Sequence, residues 1–359
     1  MKFIDEFRDK KLAERLINRI NDIKVEKCNL MEVCGTHTVA IFRYGLRDLL
    51  PEGVNLISGP GCPVCVTSQD DIDRIIAISE IKGVIVASFG DMLKVPGTGS
   101  SLEREKAKGR DIRVVYSPRD SLDIARDNQN QEVVFLGIGF ETTAPTIASC
   151  ILEAREEGLK NITFLVSHKL IPPAMRALME MGEVKIDGFI CPGHVSAIIG
   201  SNSYRDIAES YNVPCVVSGF EPLDMLQAIL MLLIQIKDNE HKVEIGYIRA
   251  VHSDGNRLAQ RVMNDVFEVS NAKWRGLGII DNSGLRMREE FGRFDALRRF
   301  ETRVEESKEH PECRCPEVLR GIIKPSQCKL FRKRCTPERP YGPCMVSSEG
   351  TCATYYKYR

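Results

Sequence analysis

The 359-residue sequence has no net charge and no long apolar run. Its 50 Lys and Arg residues balance 50 Asp and Glu residues, which argues against binding of nucleic acid through bulk positive charge. The longest strictly apolar run, residues 228–234, is far shorter than the roughly 18 residues needed to span a bilayer. The first 16 residues carry acidic and basic side chains at short intervals, unlike a signal peptide. We therefore predict a cytoplasmic protein with no nucleic-acid partner and no membrane partner.

Cysteine is abundant instead, with thirteen residues, six of them in the last 47 positions. A disulfide scaffold is excluded because such proteins are short, secreted and dense in cysteine throughout. In a reducing cytosol, clustered thiols bind metal or take part in redox chemistry. Beyond Pro311 the composition shifts to Cys, Pro, Gly, Arg and Lys and loses the apolar periodicity of a core. The sequence therefore predicts a metal-binding or redox tail on an α/β body.

Short apolar runs alternate with helical stretches between residues 28 and 240, which is the rhythm of βαβ units with parallel strands. We predict an α/β fold with two related, Rossmann-like parallel-sheet domains, at 28–130 and 131–240. Residues 1–24 have the apolar periodicity of an amphipathic helix. We predict that residues 1–27 and 241–359 together form a third domain, mostly helical or irregular. The apolar runs lie at 29–33, 54–58, 83–88, 112–116, 133–138, 162–167, 188–191 and 214–218.

Two cysteines in the sequence Cys62-Pro-Val-Cys65 follow the second apolar run and precede a helical pattern. Ser68 and Asp71 have the spacing of a capping box, which places the cysteine pair near the positive end of a helix dipole. That position lowers thiol pKa values, and two intervening residues permit a reversible disulfide. Half of a zinc site is the alternative, but it needs a second cysteine or histidine pair, and none is nearby in the sequence. We therefore predict redox or thiolate chemistry for Cys62 and Cys65.

Cys34 and His37 lie in the sequence Cys-Gly-Thr-His-Thr, directly after the first apolar run and before a helix predicted at 39–50 with a threonine cap. The pair could offer a thiolate and an imidazole to one metal ion, or a thiolate with a neighbouring base. A buried cysteine beside a capping threonine is the alternative. Because the carboxyl ends of parallel strands meet at one edge of a sheet, we expect Cys34 to face the same cleft as Cys62 and Cys65.

The glycine-rich segment 137–145 also links a strand to a helix. It lacks the third glycine of a dinucleotide-binding loop, and there is no P-loop lysine. A strand-to-helix turn capped by Thr142 or Thr143 is the simplest interpretation, and binding of an anion or of a partner's tail is the alternative. His168 and His194 follow later strands, and we interpret them as hydrogen-bonded loop histidines rather than metal ligands.

The six tail cysteines are spaced irregularly and include no Cys-x-x-Cys pair, which argues against zinc ribbons and zinc fingers. Four thiolates with such spacing suit a 4Fe–4S cluster, and the two other thiols would remain as a redox-active pair. Zinc binding and free structural cysteines are the alternatives. The six residues are Cys313, Cys315, Cys328, Cys335, Cys344 and Cys352.

Four segments together resemble the HypD family of NiFe-hydrogenase maturation proteins, and the resemblance covers essentially the whole chain. They are Cys-Gly-Thr-His-Thr at 34–38, Gly-Pro-Gly-Cys-Pro-Val-Cys at 59–65, Gly-Phe-Glu-Thr-Thr-Ala-Pro at 139–145 and Gly-Pro-Cys-Met-Val-Ser-Ser-Glu-Gly-Thr-Cys at 342–352. The resemblance implies a scaffold that assembles and carries the Fe(CN)2(CO) moiety of the NiFe active site, with a HypC-type chaperone and a HypE-type cyanide donor. Such a protein performs redox chemistry without being a conventional turnover enzyme.

The resemblance also implies roles for individual residues. Cys34 would bind the iron of Fe(CN)2(CO) beside a cysteine of the chaperone, and Cys62 with Cys65 would form a thiol/disulfide couple near it. We hypothesise that His37 acts as a proton donor or hydrogen-bond partner to Cys34. A stand-alone iron–sulfur thiol–disulfide reductase and a zinc-tailed binding module are the competing functions.

For the tail, the resemblance implies a 4Fe–4S cluster that supplies electrons to this site, in an arrangement similar to ferredoxin:thioredoxin reductase. Its ligands would be Cys313, Cys328, Cys335 and Cys352, which leaves Cys315 and Cys344 as a candidate second redox pair. The spacing leaves two exchanges open: Cys315 could take the place of Cys313 in the cluster, and Cys344 could take the place of Cys352. The other cysteines are predicted to be buried as small apolar residues, at Cys28, Cys150, Cys191 and Cys215.

Overall fold

The computed structural model describes residues 5–302, residue 304 and residues 307–359. The strands in these residues are β1 (Cys28–Glu32), β2 (Val54–Ser58), β3 (Val84–Ser88), β4 (Asp111–Val114), β5 (Glu132–Gly139), β6 (Ile162–His168), β7 (Gly188–Pro192), β8 (Cys215–Ser218), β9 (Val243–Ile245), β10 (Phe267–Trp274) and β11 (Gly278–Met287). The α-helices are α1 (Lys10–Asp22), α2 (Gly35–Arg43), α3 (Pro63–Val66), α4 (Gln69–Ser79), α5 (Leu102–Ala107), α6 (Asp120–Asp127), α7 (Ala144–Glu156), α8 (Ile171–Met181), α9 (Gly193–Ile199), α10 (Arg205–Tyr211), α11 (Pro222–Lys237), α12 (Arg257–Val266), α13 (Ala296–Arg299), α14 (Cys315–Leu319) and α15 (Thr351–Tyr358). Short 3₁₀ turns lie at Asp5–Arg8, Leu46–Leu49, Gly90–Met92, Ser201–Tyr204, Glu289–Phe294, Pro325–Gln327 and Pro343–Met345.

Two parallel sheets form the centre of the fold. The first has the strand order β2-β1-β7-β8-β9, and the second has the order β4-β3-β5-β6. Strands β3 and β8 are buried along their whole length, as expected for parallel sheets that are covered on both faces. The predicted α/β class with two parallel sheets is confirmed.

The strands are shared between the two sheets differently from the prediction. The first sheet takes β1 and β2 from the predicted unit 28–130, then β7 and β8 from the predicted unit 131–240. The boundary between these units falls between β4 and β5, which lie in one sheet. The predicted strand grouping is corrected because apolar periodicity marks a strand but does not specify its neighbours. The division into domains itself stays a prediction.

The amphipathic helix at the start of the chain is α1, which is shorter than the predicted span 1–24. It begins after Asp9, whose carboxylate accepts a hydrogen bond from the Leu12 N–H at 3.0 Å. Its fully buried residue, Ile20, belongs to the apolar core between the first sheet and α11. Burial of this one stripe therefore attaches the helix to the first sheet. Residues 1–4 of the predicted helix lie outside the described residues.

A β-hairpin, β10–β11, connects segments that follow strands of both sheets. Thr67, after α3, pairs with Trp274 of β10, and Lys169, after β6, pairs with Gly284 of β11. The Trp274 side chain is buried, and its Nε1–H donates a hydrogen bond to Ser283 Oγ at 2.9 Å. The hairpin was not predicted, because the sequence around it is mixed and charged.

The cysteine-rich tail consists of short helices and turns, as the irregular composition predicts, and it packs against the first sheet. Gly321 allows this close contact, since its φ is 75° and a Cβ there would lie 2.5 Å from Ile57 Cγ2. The last helix, α15, packs against α2. Among the helices of the described ranges, none is both long and apolar enough to cross a membrane.

Candidate functional site

The loops that carry the predicted site cysteines lie side by side at one edge of the first sheet. Strands β1 and β2 pair in parallel, with Glu32 opposite Ser58 at their carboxyl ends. The loops continue this pairing, since the Gly35 N–H donates to Gly61 O at 2.8 Å. A Cβ on Gly61 would lie 2.1 Å from the backbone nitrogen of Cys34, so only glycine fits at this position. The structure therefore brings the Cys34 loop and the Cys62–Cys65 loop into direct contact.

Cys34 occupies the N-cap position of α2, which begins four residues before the predicted helix. The predicted threonine cap is not formed: the Thr38 hydroxyl donates to Glu32 Oε1, while Glu32 Oε2 accepts the Cys34 N–H at 2.9 Å. Burial raises the pKa of the Cys34 thiol to about 12. Burial thus outweighs the helix N-terminus, and a metal ion that binds this sulfur must displace a proton.

The carboxylate of Glu32 is a site feature that the sequence interpretation missed. Glu32 is fully buried at the end of β1, and burial raises the pKa of its carboxyl group to about 7. Its two oxygens accept hydrogen bonds from the Cys34 N–H and the Thr38 hydroxyl, so it orients the loop that presents the Cys34 sulfur. A charged residue inside an apolar strand is the signal that could have identified it.

A second carboxylate reaches this loop from the tail. The Thr36 hydroxyl donates to Glu349 Oε1 at 2.6 Å, and a Cβ on Gly35 would lie 2.6 Å from Glu349 Cβ. Glu349 is separated from Thr36 by 313 positions in the chain. The tail therefore contacts the Cys34 loop directly, within the last of the four resembling segments.

His37 is fully buried and held by the loop that follows β8. Its Nε2 lies 3.0 Å from Gly219 O and 3.2 Å from Ser218 O, so Nε2 carries the proton that it donates to these carbonyls. Burial lowers the pKa of the His37 imidazole to about 4, and the neutral ring leaves Nδ1 as an acceptor. The proposed role as proton donor to Cys34 stays a prediction.

His194 and His37 both pack against the ring of Phe220. The Phe220 ring lies 4.0 Å from the His194 ring and 4.8 Å from the His37 ring, measured between centroids. His194 lies in the first turn of α9, at the end of β7, the neighbour of β1 in the first sheet. The two histidines therefore share one edge of that sheet, which the spacing along the chain does not indicate.

Cys62 and Cys65 are joined by a disulfide. Cys62 is the N-cap of α3, a single helical turn, and Cys65 lies within that turn. The longer helix α4 begins after them, and its cap is Ser68, as predicted. Both cysteines are buried, with exposed fractions of 4% and 0%. Cys65 Sγ lies 3.9 Å from the carbonyl oxygen of Pro343, the residue before Cys344 in the tail. The pair thus adjoins both the Cys34 loop and the tail.

Five of the six tail cysteines converge. Side-chain hydrogen bonds connect Cys313 with Cys315, and connect Cys315 and Cys352 with Cys344. Hydrogen bonds with Cys315 and Cys352 lower the pKa of the Cys344 thiol. The hydrogen bond with Cys315 raises the pKa of the Cys313 thiol. Burial and, to a smaller extent, the nearby Cys315 and Cys313 raise the pKa of the Cys335 thiol to about 11.

A glycine provides the space in which two of these sulfurs sit. A Cβ on Gly342 would lie 2.6 Å from Cys315 Sγ and 2.7 Å from Cys313 Sγ. Cys335 Sγ accepts the Tyr341 N–H at 3.4 Å, a type of contact that stabilises sulfur ligands of a cluster. The sixth tail cysteine, Cys328, has its sulfur 4.0 Å from the carbonyl oxygen of Glu312, the residue before Cys313.

These cysteines suit an iron–sulfur cluster by their donor chemistry, because several soft sulfur atoms meet in one place. Within the described ranges, no group of three or more His, Cys, Asp or Glu side chains is already arranged to hold a single metal ion. Which four cysteines serve as ligands stays a prediction.

The loop after β5 contains buried ionisable groups of the second sheet. Glu141 Oε1 accepts the Ile171 N–H at 2.9 Å, and its Oε2 has no partner in the described residues. The predicted threonine cap of α7 is not formed, since the Thr143 hydroxyl donates to Phe140 O instead. His168 is buried at the end of β6, and neither ring nitrogen has a partner there, so its interpretation as a hydrogen-bonded histidine is wrong.

Replacing Glu141 with glutamine should make folding less dependent on pH. Burial raises the pKa of Glu141 from 4.5 to about 7, so its contribution to stability is complete below pH 4.5 and is lost as the pH rises through 7. Near pH 8, Glu141→Gln should therefore increase the free energy of unfolding by up to about 3 kcal/mol. Urea unfolding between pH 5 and 8 measures this. Glu156→Gln, on the exposed face of α7, should leave the pH dependence unchanged, and equal slopes for all three proteins would contradict the prediction.

Comparison with known proteins gives one consistent result. The family model HypD, described as "Hydrogenase formation hypA family", matches residues 11–359. The chain is 47% identical over its whole length to the hydrogenase maturation factor HypD2 of Bradyrhizobium diazoefficiens and covers 97% of that protein. It is 44% identical to the hydrogenase maturation factor HypD of Escherichia coli, with 100% and 98% of the two chains covered. A putative hydrogenase expression/formation protein of Methanocaldococcus jannaschii is 43% identical over 98% of each chain.

Proposed function

Because the chain belongs to the HypD family of hydrogenase maturation factors, we propose that it is the scaffold on which the Fe(CN)2(CO) moiety is assembled. The observation that carries this proposal is the meeting of three elements at one sheet edge. The Cys34 loop is hydrogen-bonded to the Gly61 backbone, to Glu32 and to Glu349 of the tail. The thiol that we propose as the iron ligand, one disulfide and one cysteine-rich segment are thus neighbours.

The substrate in this proposal is iron with cyanide and carbonyl ligands, and Cys34 Sγ binds it. Low-spin iron of this kind favours soft thiolate ligands, and a cysteine of a HypC-type chaperone provides the second. A HypE-type protein delivers the cyanide-derived ligands. Glu32, which accepts the Cys34 N–H, keeps the sulfur oriented when the thiol proton leaves.

Cys62 and Cys65 act in the proposal as a two-electron couple. Reduction of their disulfide takes up two electrons and two protons and yields two thiols, and oxidation returns both electrons to the site. A 4Fe–4S cluster held by Cys313, Cys328, Cys335 and Cys352 would supply these electrons one at a time. Cys315 and Cys344 form the second couple, which their side-chain hydrogen bond supports. The contact of Cys65 Sγ with Pro343 O makes the two couples neighbours.

A stand-alone thiol–disulfide reductase is the second candidate function, since the same cysteines could reduce a protein disulfide. The burial of Cys62 and Cys65 argues against it, because a thiolate must reach the substrate sulfur to form a mixed disulfide. With exposed fractions of 4% and 0%, neither sulfur can do so without opening of the site.

Infrared spectroscopy of the complex tests the proposal. The chain is produced with its HypC-type chaperone and the ligand-delivering proteins, purified without oxygen, and analysed for iron and sulfide. We expect cyanide and carbonyl bands in the complex and none in the chain produced without those proteins. Turnover of a disulfide substrate by the chain alone, with no such bands, would support the reductase. Zinc without iron or sulfide would indicate a binding module.

A further inference from the structure

A small cavity lies between the first sheet and the tail, separate from the cysteine site. Its volume is about 150 Å³, and its polar wall includes side chains from three parts of the chain. Arg47 follows α2, Asn55 and Ser58 belong to β2, and Lys324 and Tyr355 belong to the tail. None of the residues that line it is an aspartate or a glutamate. The side chains that line the cavity therefore include two cations, Arg47 and Lys324, and no carboxylate.

Arg47 has unused hydrogen-bonding capacity at this cavity. Its Nη1 donates to the Tyr355 hydroxyl at 3.0 Å, but its Nε is buried and has no partner in the described residues. Glu32 attracts it electrostatically, yet no described carboxylate lies within 4 Å of Arg47 or of Lys324. A guanidinium that is removed from water with one of its N–H groups unpaired is unfavourable, and an anion that accepts from Arg47 would reduce that cost.

We propose that this cavity binds a small oxyanion of the size of phosphate or carbonate. Its volume exceeds the roughly 30 Å³ of one water molecule and is below the 300–1,000 Å³ typical of pockets for larger ligands. The planar guanidinium can donate two parallel hydrogen bonds to the oxygens of such an ion, and Lys324 at the exposed rim adds charge.

The bound ion would link the tail to the sheet beside the candidate site. Ser58 is the last residue of β2, directly before the loop that leads to Cys62, and Thr351 in the cavity wall directly precedes Cys352. Gly321, also in the wall, is a point of close approach, since a Cβ there would lie 2.5 Å from Ile57 Cγ2. Occupancy therefore stabilises the docked tail. This inference does not depend on the proposed function.

Calorimetric titration of the full-length protein with sodium phosphate, and separately with sodium bicarbonate, tests the site at constant ionic strength set with chloride. We expect at least one of the two to bind with Kd of about 1 mM or tighter. Arg47→Met should weaken binding about tenfold or more, and Lys324→Met about threefold. Lys333→Met removes an exposed tail lysine outside the cavity and should leave the Kd unchanged.

Binding of either ion supports the proposal. Binding of phosphate alone indicates a site for a tetrahedral ion, binding of bicarbonate alone indicates a site for a planar ion, and binding of both indicates a site that accepts either shape. Failure of both to bind the wild type overturns it, as does equal binding by Arg47→Met. Because Arg47 also packs on the Phe42 and Tyr355 rings, hydrogen exchange of the wild type provides a test without any variant. The saturating ion should slow exchange of the amides of residues 318–327 about threefold or more, and unchanged exchange would exclude the link to the tail.

Discussion

Replacement of Cys34 with alanine is expected to abolish the cyanide and carbonyl infrared bands of the complex and to reduce hydrogenase maturation about 100-fold or more. Cys34 is the cysteine placed at the end of β1, where its loop contacts both the Cys62–Cys65 disulfide segment and the tail. Its side chain makes no capping hydrogen bond to α2, so its removal should cost the helix little. Loss of the infrared bands and of maturation would therefore result from the missing sulfur ligand and not from a destabilised helix.

Cys28 offers a matched control for this variant. It is buried at the opposite end of the same strand, and burial raises the pKa of its thiol to about 11. Cys28→Ala should keep both the infrared bands and maturation, with a small loss of stability from the cavity that it leaves. Bands that persist in Cys34→Ala, or that vanish equally in Cys28→Ala, would show that the iron is bound elsewhere.

Replacement of Cys335 with alanine should remove the iron and acid-labile sulfide of the tail almost completely, because a cluster with four thiolates rarely tolerates the loss of one. Cys344→Ala should keep both and lose only electron transfer to the Cys62–Cys65 disulfide. Iron and sulfide counts on the anaerobically purified proteins, followed by thiol titration after chemical reduction, measure the two effects.

Cys328 decides between the assignments of the cluster. It is assigned as a ligand by the resemblance, and its sulfur lies 4.0 Å from the carbonyl oxygen of Glu312, the residue before Cys313. Cys328→Ala should behave as Cys335→Ala does. If Cys328→Ala retains its iron while Cys344→Ala loses it, then Cys344 is a ligand and the assigned set is wrong.

Most of the strands could be predicted from the sequence. The second apolar run coincides with β2, and the runs at 83–88 and 162–167 each differ from the observed strand by one residue at one end. A continuous apolar run between turn residues is a strong local signal for a buried parallel strand. The helix after Cys34 was placed less well, since its first turn is polar and its N-cap is a cysteine without a capping contact.

The neighbours of the site cysteines could be predicted only in part. That the loops of Cys34 and Cys62 meet follows from parallel pairing of consecutive strands, and β1 and β2 do pair. The involvement of Glu349 could not be predicted, because a residue 313 positions from Thr36 leaves no periodic trace in the sequence. The same holds for Phe220, which lies between His37 and His194.

By itself, the sequence determined the α/β class, the positions of strands β1 to β8, the cysteine motifs and the family, because these depend on local periodicity and on short, ordered groups of residues. Only the tertiary structure decided which strands share a sheet, that burial raises the pKa of Cys34, and that five tail sulfurs converge. Each of these depends on contacts between distant segments, whose free energies are set by burial and packing. The surroundings of each thiol, and therefore its pKa, are thus set by the folded chain.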